Sequence, residues 1–452
     1  MLIRFNVENF LSFYKKSEFS MIAGTTRNLK DHVENLKLES EELKLLKGSF
    51  IYGANGSGKS NFIKSIEFAR ECIINGLEGI NTVGKTYRLN KLSENNLSEF
   101  EFEIILQEKA YAYGFNLNLL KKEINEEWLY EIGCKNDILI YKRVGNKFEI
   151  NKNELNEKDK LRLDVYLENL KPDELILSII GRSNFEKINI YSKIFNWFND
   201  DLIIITPNTQ EFLGMFFIDF DNLKKYLKGF DISIIEKIFI DKKMDELEIP
   251  DNIKIKLSND IAKFLREDQQ EKKKSKGATK IHVNINNSPY EIEKDSENNL
   301  IAKEIKFKHK SSDGTFSYRE ESDGTKRLLE LIPILKIIKC NKVVLIDELE
   351  RSLHPILVKA YVDEMYKSIK NKKSQFIITT HESRLIDLDD IRRDEIWFCL
   401  NDEKNGSNLK SLNEYNIRSD YKADKGYLLG RFGGIPEIVP IVEENIPCDE
   451  NA

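Results

Sequence analysis

The residues with the clearest chemical content are Gly53-Ala54-Asn55-Gly56-Ser57-Gly58-Lys59-Ser60. They fit the pattern G-x-x-x-x-G-K-[ST]. Glycines at this spacing let backbone N–H groups turn inward around phosphate oxygens. Lys59 can reach the β- and γ-phosphates, and the Ser60 hydroxyl can ligate Mg²⁺. The preceding Gly48–Tyr52 reads as a short buried strand. The following residues read as a helix from about Asn61 to Asn75, so a phosphate would meet free N–H groups at a helix N-terminus. The nucleotide contacts expected here are Gly53, Asn55, Gly56, Ser57, Gly58, Lys59, Ser60 and Asn61.

Three further groups belong with this loop. Val343-Val344-Leu345-Ile346-Asp347-Glu348 is an apolar run ending in two acids. It reads as a buried parallel strand with its carboxylates at the C-terminal edge, where an open α/β sheet places ligands. Asp347 is expected to hold Mg²⁺ with Ser60, and Glu348 to polarise the attacking water as general base. Phe376–Thr380 reads as another buried strand, capped by His381. A lone histidine has bland readings. One placed a strand and a helix after the Asp-Glu pair can sense a γ-phosphate. Glu321-Ser322-Asp323-Gly324-Thr325 opens a helix, Lys326 to about Lys339, whose start offers N–H groups to an anion. Pro333 is expected to kink it.

These groups need a frame, and the chain supplies an alternating one. Ile3, Phe5 and Val7 read as a strand, and Phe19–Ile22 as a second. Phe100, Phe102 and Ile104 alternate with Glu99, Glu101 and Glu103. Tyr111, Tyr113, Phe115, Leu117 and Leu119 then alternate with small or polar residues. The two runs form a hairpin about Gln107-Glu108-Lys109. Glu126–Tyr130 and Ile138–Arg143 continue the meander. From about residue 154 to 270 apolar spacings of three and four predict helices, as in Leu161–Leu170, Ile188–Phe198 and Leu223–Ile240. Glu271–Gly277 is a charge-rich loop, either solvated or touching nucleic acid. Strand text returns at Ile281–Ile285 and Ile305–Lys308. Asp347 lies 288 residues after Lys59, so an insertion separates two halves of one nucleotide-binding domain.

Composition narrows the classes. The 452 residues carry a net charge of −6, with 32% charged and 40% hydrophobic residues. This argues against a uniformly basic coat for nucleic acid. Cys72, Cys134, Cys340, Cys399 and Cys448 have no metal-ligand spacing and read as free thiols. No stretch approaches the ~18 apolar residues of a membrane span. No signal peptide is seen, and a cytoplasmic protein without membrane contact is expected.

The order of phosphate loop, Ser-x-Gly-Thr helix start, Asp-Glu strand and His-capped strand resembles the ABC-type ATPase heads of the SMC, recombination-repair and OLD classes. That resemblance implies that Ser322-Asp323-Gly324-Thr325 is the signature motif, reaching across a dimer to the partner's γ-phosphate. It makes Glu350–Pro355 the D-loop and His381 the switch histidine. Asn9–Phe13, Tyr113-Gly114-Phe115, Glu127–Tyr130, Arg393–Phe398 and Gly430–Gly433 extend the likeness to stand-alone ATPases of the OLD-like group, such as the AbiL-type and RloA-type abortive-infection ATPases. OLD nucleases carry a Toprim domain, for which the 71 residues after His381 are too few. Asp387–Asp390 reads as an acidic loop. The Q-loop glutamine has only Gln107 as a candidate.

The expectation is therefore an α/β, ABC-type ATPase head: a P-loop mixed sheet with an antiparallel β-subdomain and an inserted, mainly helical lobe. Residues 1–150 and 281–452 would form the head, and 151–280 the lobe. ATP and Mg²⁺ would be the cofactors. The partners would be a second copy in a head-to-tail dimer and a separate effector of an anti-phage system, with nucleic acid left open. The alternative is a DNA-repair or SMC-like ATPase acting directly on DNA.

Overall fold

The structure, a computed structural model, describes residues 1–435 apart from 27, 39–40, 134–135, 152–156, 183–189, 208, 210–218, 244–245, 248–253, 255–280, 286–287, 295–299, 403–404 and 417–422. The expected loop Glu271–Gly277, together with Cys134 and Cys448, lies outside the described residues. Two compact units are present. One comprises Met1–Ile204, Leu345–Asp347 and Gln375–Ala452, and the other Ile205–Val344 and Glu348–Ser374. The chain passes between the units at 204/205, 344/345, 347/348 and 374/375.

The first unit contains a seven-stranded sheet of order β10-β9-β8-β7-β6-β1-β2. Its strands are β1 (Leu2–Glu8), β2 (Ser17–Ser20), β6 (Ser98–Leu106), β7 (Lys109–Asn118), β8 (Glu123–Ile132), β9 (Ile138–Val144) and β10 (Lys147–Ile150). The alternation in β6 does what its pattern predicts: Phe100, Phe102 and Ile104 are buried, with Phe100 opposite Phe115 and Phe102 opposite Tyr113. The turn is the two residues Gln107 (φ 50°) and Glu108 (φ 68°), left-handed as a tight hairpin requires. Gln107, the Q-loop candidate, sits in that turn and accepts a hydrogen bond from Lys193 Nζ at 2.7 Å. The hairpin β3 (Val33–Leu38) and β4 (Glu41–Leu46) was not expected from the sequence.

Helix α1 (Lys59–Asn75) lies against the seven-stranded sheet, with the Phe5 and Phe62 rings 5.8 Å apart. Further on come α2 (Glu157–Glu168), α3 (Ile176–Arg182) and α4 (Ile190–Asn196). Glu127 explains why its segment stands out in the sequence. Its buried carboxylate accepts from Tyr141 Oη (2.8 Å), Tyr113 Oη (3.1 Å), Ile176 N (2.7 Å) and Leu177 N (3.1 Å), tying the start of α3 to the sheet. Burial raises its pKa against the pull of these donors. In α3, Ser178 Oγ donates to Ile73 O at 2.6 Å, at the end of α1.

A six-stranded sheet has the order β11-β17-β18-β5-β19-β20. Its strands are β5 (Gly48–Tyr52), β11 (Leu202–Ile205), β17 (Val343–Ile346), β18 (Gln375–Thr379), β19 (Ile396–Asp402) and β20 (Gly406–Ser411). All five residues of β5 are buried, and it pairs in parallel with both β18 and β19. This is the fully buried strand pattern of a sheet covered on both faces.

The second unit holds a five-stranded sheet: β12 (Ile234–Lys243), β13 (Ile281–Ile285), β14 (Ser288–Lys294), β15 (Leu300–His309) and β16 (Thr315–Ser317). Its helices are α5 (Phe220–Gly229), α6 (Asp323–Leu331), α7 (Ile334–Ile337) and α8 (Pro355–Ile369), while α9 (Ala423–Leu428) belongs to the first unit. The expected helix from Leu223 to Ile240 is corrected here. It ends with α5, the chain turns at Asp231 (φ 59°), and Ile234–Lys243 is a strand paired antiparallel to β15. The inserted lobe is thus not helical throughout. The helix expected over Lys326–Lys339 breaks at Pro333 into α6, α7 and a short 3₁₀ turn.

Candidate nucleotide site

In the first unit the loop Gly53–Ser60 joins β5 to α1. Two of its glycines do different work. Gly56 (φ 75°) has nothing within 4 Å of a built Cβ, so only its backbone conformation requires glycine. Gly58 (φ 112°) also lacks room: a Cβ would stand 2.2 Å from Ser407 Oγ and 2.7 Å from Ser12 Oγ. Asn61 Nδ2 donates to that same Ser12 Oγ at 2.9 Å. Lys59 is buried and turned into the loop, its Nζ donating to Gly53 O at 2.8 Å and Ala54 O at 3.1 Å. Asn55 is exposed at the loop tip. The Ser57 carbonyl accepts from Ser407 Oγ at 2.6 Å and from Cys399 Sγ at 3.2 Å. Burial pushes the Cys399 thiol up to about 12, so it is an inert packing group.

Asp347 follows β17 and is 4% exposed. Its Oδ1 accepts from Thr379 Oγ1 at 2.5 Å and from Ser60 Oγ at 3.3 Å. One carboxylate therefore meets hydroxyls from α1 and from the end of β18. A hydroxyl and a carboxylate are hard oxygen donors of the kind Mg²⁺ takes alongside phosphate oxygens. Ser57 Oγ is buried with no hydrogen-bond partner among the described residues, a group that an anion or water in the loop would satisfy. The donor set fits a magnesium nucleotide. His381 is exposed, two residues past the end of β18, and the intervening Thr380 N donates to Ile51 O at 3.1 Å.

Ser322, Gly324, Thr325 and Glu348 belong to the second unit. Ser322 caps α6, its exposed Oγ accepting from Thr325 N at 3.1 Å. A Cβ on Gly324 would lie 2.8 Å from the Ser352 carbonyl, so glycine admits the main chain of the Glu350–Pro355 segment. Glu348 (φ 50°) and Ser352 (φ 61°) both have left-handed backbones. The Glu348 carbonyl accepts from Arg351 N at 3.1 Å and from Arg327 Nη2 at 3.3 Å. Arg327 is buried beside Glu330 (3.5 Å), which in turn accepts from Tyr318 Oη at 3.0 Å. Burial lowers the Arg327 pKa and raises that of Glu330. His354 Nδ1 caps α8 by accepting from Ile356 N at 3.3 Å.

Four participants were not singled out from the sequence. Thr379 was read only as a strand residue, Ser12 only as part of Asn9–Phe13, and Ser407 not at all. Arg327 was read as part of a helix. Nothing in a threonine at the end of a strand marks it as a carboxylate's donor until the neighbouring strand is known.

The loop, the mixed sheet and the antiparallel sheet together define a P-loop nucleotide-binding domain. Residues 49–387 match the family described as "AAA domain, putative AbiEii toxin, Type IV TA system", and the chain belongs to that family. No curated protein matches the chain. Among solved structures it is similar to an Smc head bound to the C-terminal winged-helix domain of ScpA, with 15% identity over 91% of this chain and 97% of that one and a TM-score of 0.39. The SMC head domain from Thermotoga maritima matches at 12% identity over 91% and 98%, with a TM-score of 0.36. The Smc head with coiled coil and joint from Pyrococcus yayanosii matches at 13% over 91% and 96%, with a TM-score of 0.38. Among the described residues no group of three or more His, Cys, Asp or Glu side chains could hold a metal by itself, and no helix is long and apolar enough to cross a membrane.

Proposed function

We propose that this chain is an ATPase that binds ATP and Mg²⁺ at Gly53–Ser60 and Asp347 and works as a head-to-tail dimer. The observation that carries the reading is Asp347, buried and held by Ser60 and Thr379 beside a phosphate-type loop. Bound Mg²⁺ would neutralise charge on the phosphate oxygens. Ser60 and Asp347 position that charge, while Lys59 and the loop N–H groups stabilise the transferring phosphoryl group. The Glu348 carboxylate takes the proton of the attacking water, its main chain held by Arg327. His381 donates to the phosphate. Ser322, Gly324 and Thr325 of one copy complete the site of the other, so the heads close on nucleotide and hydrolysis reopens them.

The biological role we infer is a cytoplasmic sensor or scaffold in anti-phage abortive infection, with a separate effector. The family's description, which names a putative toxin of a type IV toxin–antitoxin system, supports a role of this kind. The deciding experiment is Glu348→Gln in steady-state hydrolysis and in ATP-dependent dimerisation. Turnover is expected to fall at least about 100-fold while the dimer persists in ATP. Hydrolysis at the wild-type rate would sink the assignment of the base. A salt-sensitive stimulation of hydrolysis by DNA would instead favour direct action on DNA.

A further inference from the structure

Within the second unit a chain of polar side chains ends at the residue before Ser322. Glu321 is buried at the foot of α6, and its Oε1 lies 2.7 Å from His309 Nε2. The other ring nitrogen, His309 Nδ1, lies 2.7 Å from Ser233 Oγ. A carboxylate only accepts, so Nε2 is the donating nitrogen, and the neutral ring leaves Nδ1 to accept from the Ser233 hydroxyl. The ring is also steered from its side. It meets the Phe316 ring at 89°, with centroids 5.2 Å apart.

The two ends of this relay belong to different elements. Ser233 directly precedes β12, and His309 is the last residue of β15, paired in register with Ile234. Lys310 N donates to Ser233 O at 2.9 Å, so main chain and side chains are joined at one corner of the sheet. At the other end, Glu321 directly precedes Ser322, whose Oγ caps α6 and meets Thr325 Oγ1 at 2.9 Å. The cap ties Ser322 to its own helix. The relay ties the residue before it to the sheet. Leaving a buried carboxylate without its partner is costly, which makes the tie a firm one.

We propose that Glu321 and His309 are positioning residues for Ser322, holding the start of α6 to the β12–β15 sheet with Ser233 as the anchor. They act on the step in which Ser322 completes the partner copy's nucleotide site, and the proposal rests on that reading of Ser322.

The test uses the full chain and three readouts: ATP affinity by equilibrium titration, kcat at saturating ATP, and ATP-dependent dimerisation in the Glu348→Gln background. Ser322→Ala is the reference variant. His309→Ala and Glu321→Ala are each expected to lower kcat and weaken dimerisation about tenfold, with ATP affinity within about twofold of the wild type. Glu321→Gln keeps an oxygen that accepts from Nε2 and should recover kcat to within about threefold. The double variant H309A/E321A should lose no more than the weaker single, because both remove the same tie. Where either alanine variant fails to fold, Ser233→Ala decides, with an expected loss of about threefold in kcat and dimerisation. Unchanged kcat and dimerisation, a fall in ATP affinity equal to that in kcat, no recovery in Glu321→Gln, or additive losses in the double variant would each overturn the proposal. A silent Ser322→Ala overturns the reading beneath it. An active Ser322→Ala beside silent relay variants overturns the relay alone.

Discussion

The turn after β5 and the turn after β17 both use left-handed backbone, yet they are built from different residues. In the phosphate loop the positive φ angles fall on Gly56 and Gly58. After β17 they fall on Glu348 and Ser352. Glycine adopts this conformation without strain, whereas other residues carry about 1–2 kcal/mol each. The difference follows from which atoms act. On the proposed mechanism the main-chain N–H groups of the loop are the working atoms, and a side chain at Gly58 would only obstruct. The Glu348 carboxylate is the working group on that mechanism, which accounts for a strained residue there, held by its surroundings. Arg327 secures the Glu348 carbonyl, and Gly324 admits the Ser352 carbonyl.

The contrast can be broken most severely at Gly58. Gly58→Ala drives a methyl group towards Ser407 and Ser12 at a φ that alanine avoids. Equilibrium titration should show nucleotide affinity reduced at least about 100-fold, with stability lower by roughly 2–4 kcal/mol. Binding at wild-type affinity would mean that the loop does not close on phosphate here. Glu348→Gly separates strain from chemistry. Denaturant unfolding should show a gain of about 1 kcal/mol, while hydrolysis falls by two orders of magnitude or more. A loss of stability would show that the carboxylate, rather than the backbone, sets the conformation. Thr379→Val removes a donor from Asp347, so kcat should drop about tenfold, and a Mg²⁺ titration should shift to higher concentration. Ser352→Gly is the mildest change, expected to stabilise by up to about 1 kcal/mol with hydrolysis within about threefold.

Much of this frame could be read directly from the residues. Phe100, Phe102 and Ile104 announced a strand because one face is buried and the other wet. The phosphate loop and the Val343–Glu348 run announced themselves because their chemistry needs particular residues at fixed spacing. The strand Ile234–Lys243 was misread because a strand with both faces partly exposed has no clean two-residue burial period. Its isoleucines fit a helical spacing equally well until β15 is known to lie beside it. The hairpin β3–β4 was missed for a similar reason: Val33-Glu34-Asn35-Leu36-Lys37-Leu38 in β3 has no clean two-residue alternation, and only Leu36 of it is fully buried. Thr379, Ser12 and Ser407 act through partners 32, 49 and 350 residues away, and no local pattern encodes that.

The position of β5 has a consequence for how the protein is made. Ser49 sits opposite Ile377 and Ile51 opposite Trp397, so both neighbours of the phosphate-loop strand come from the far end of the chain. At ribosomal rates of about 5–20 residues per second, β5 waits roughly a quarter of a minute to a minute before those neighbours are synthesised. Until then the N–H and C=O groups on its two edges are unpaired and α1 has no complete sheet to rest on. Nascent chains should therefore be slow to become nucleotide-competent and should lean on chaperones, since pairings this distant are the slowest to form. ATP capture would then report a finished chain.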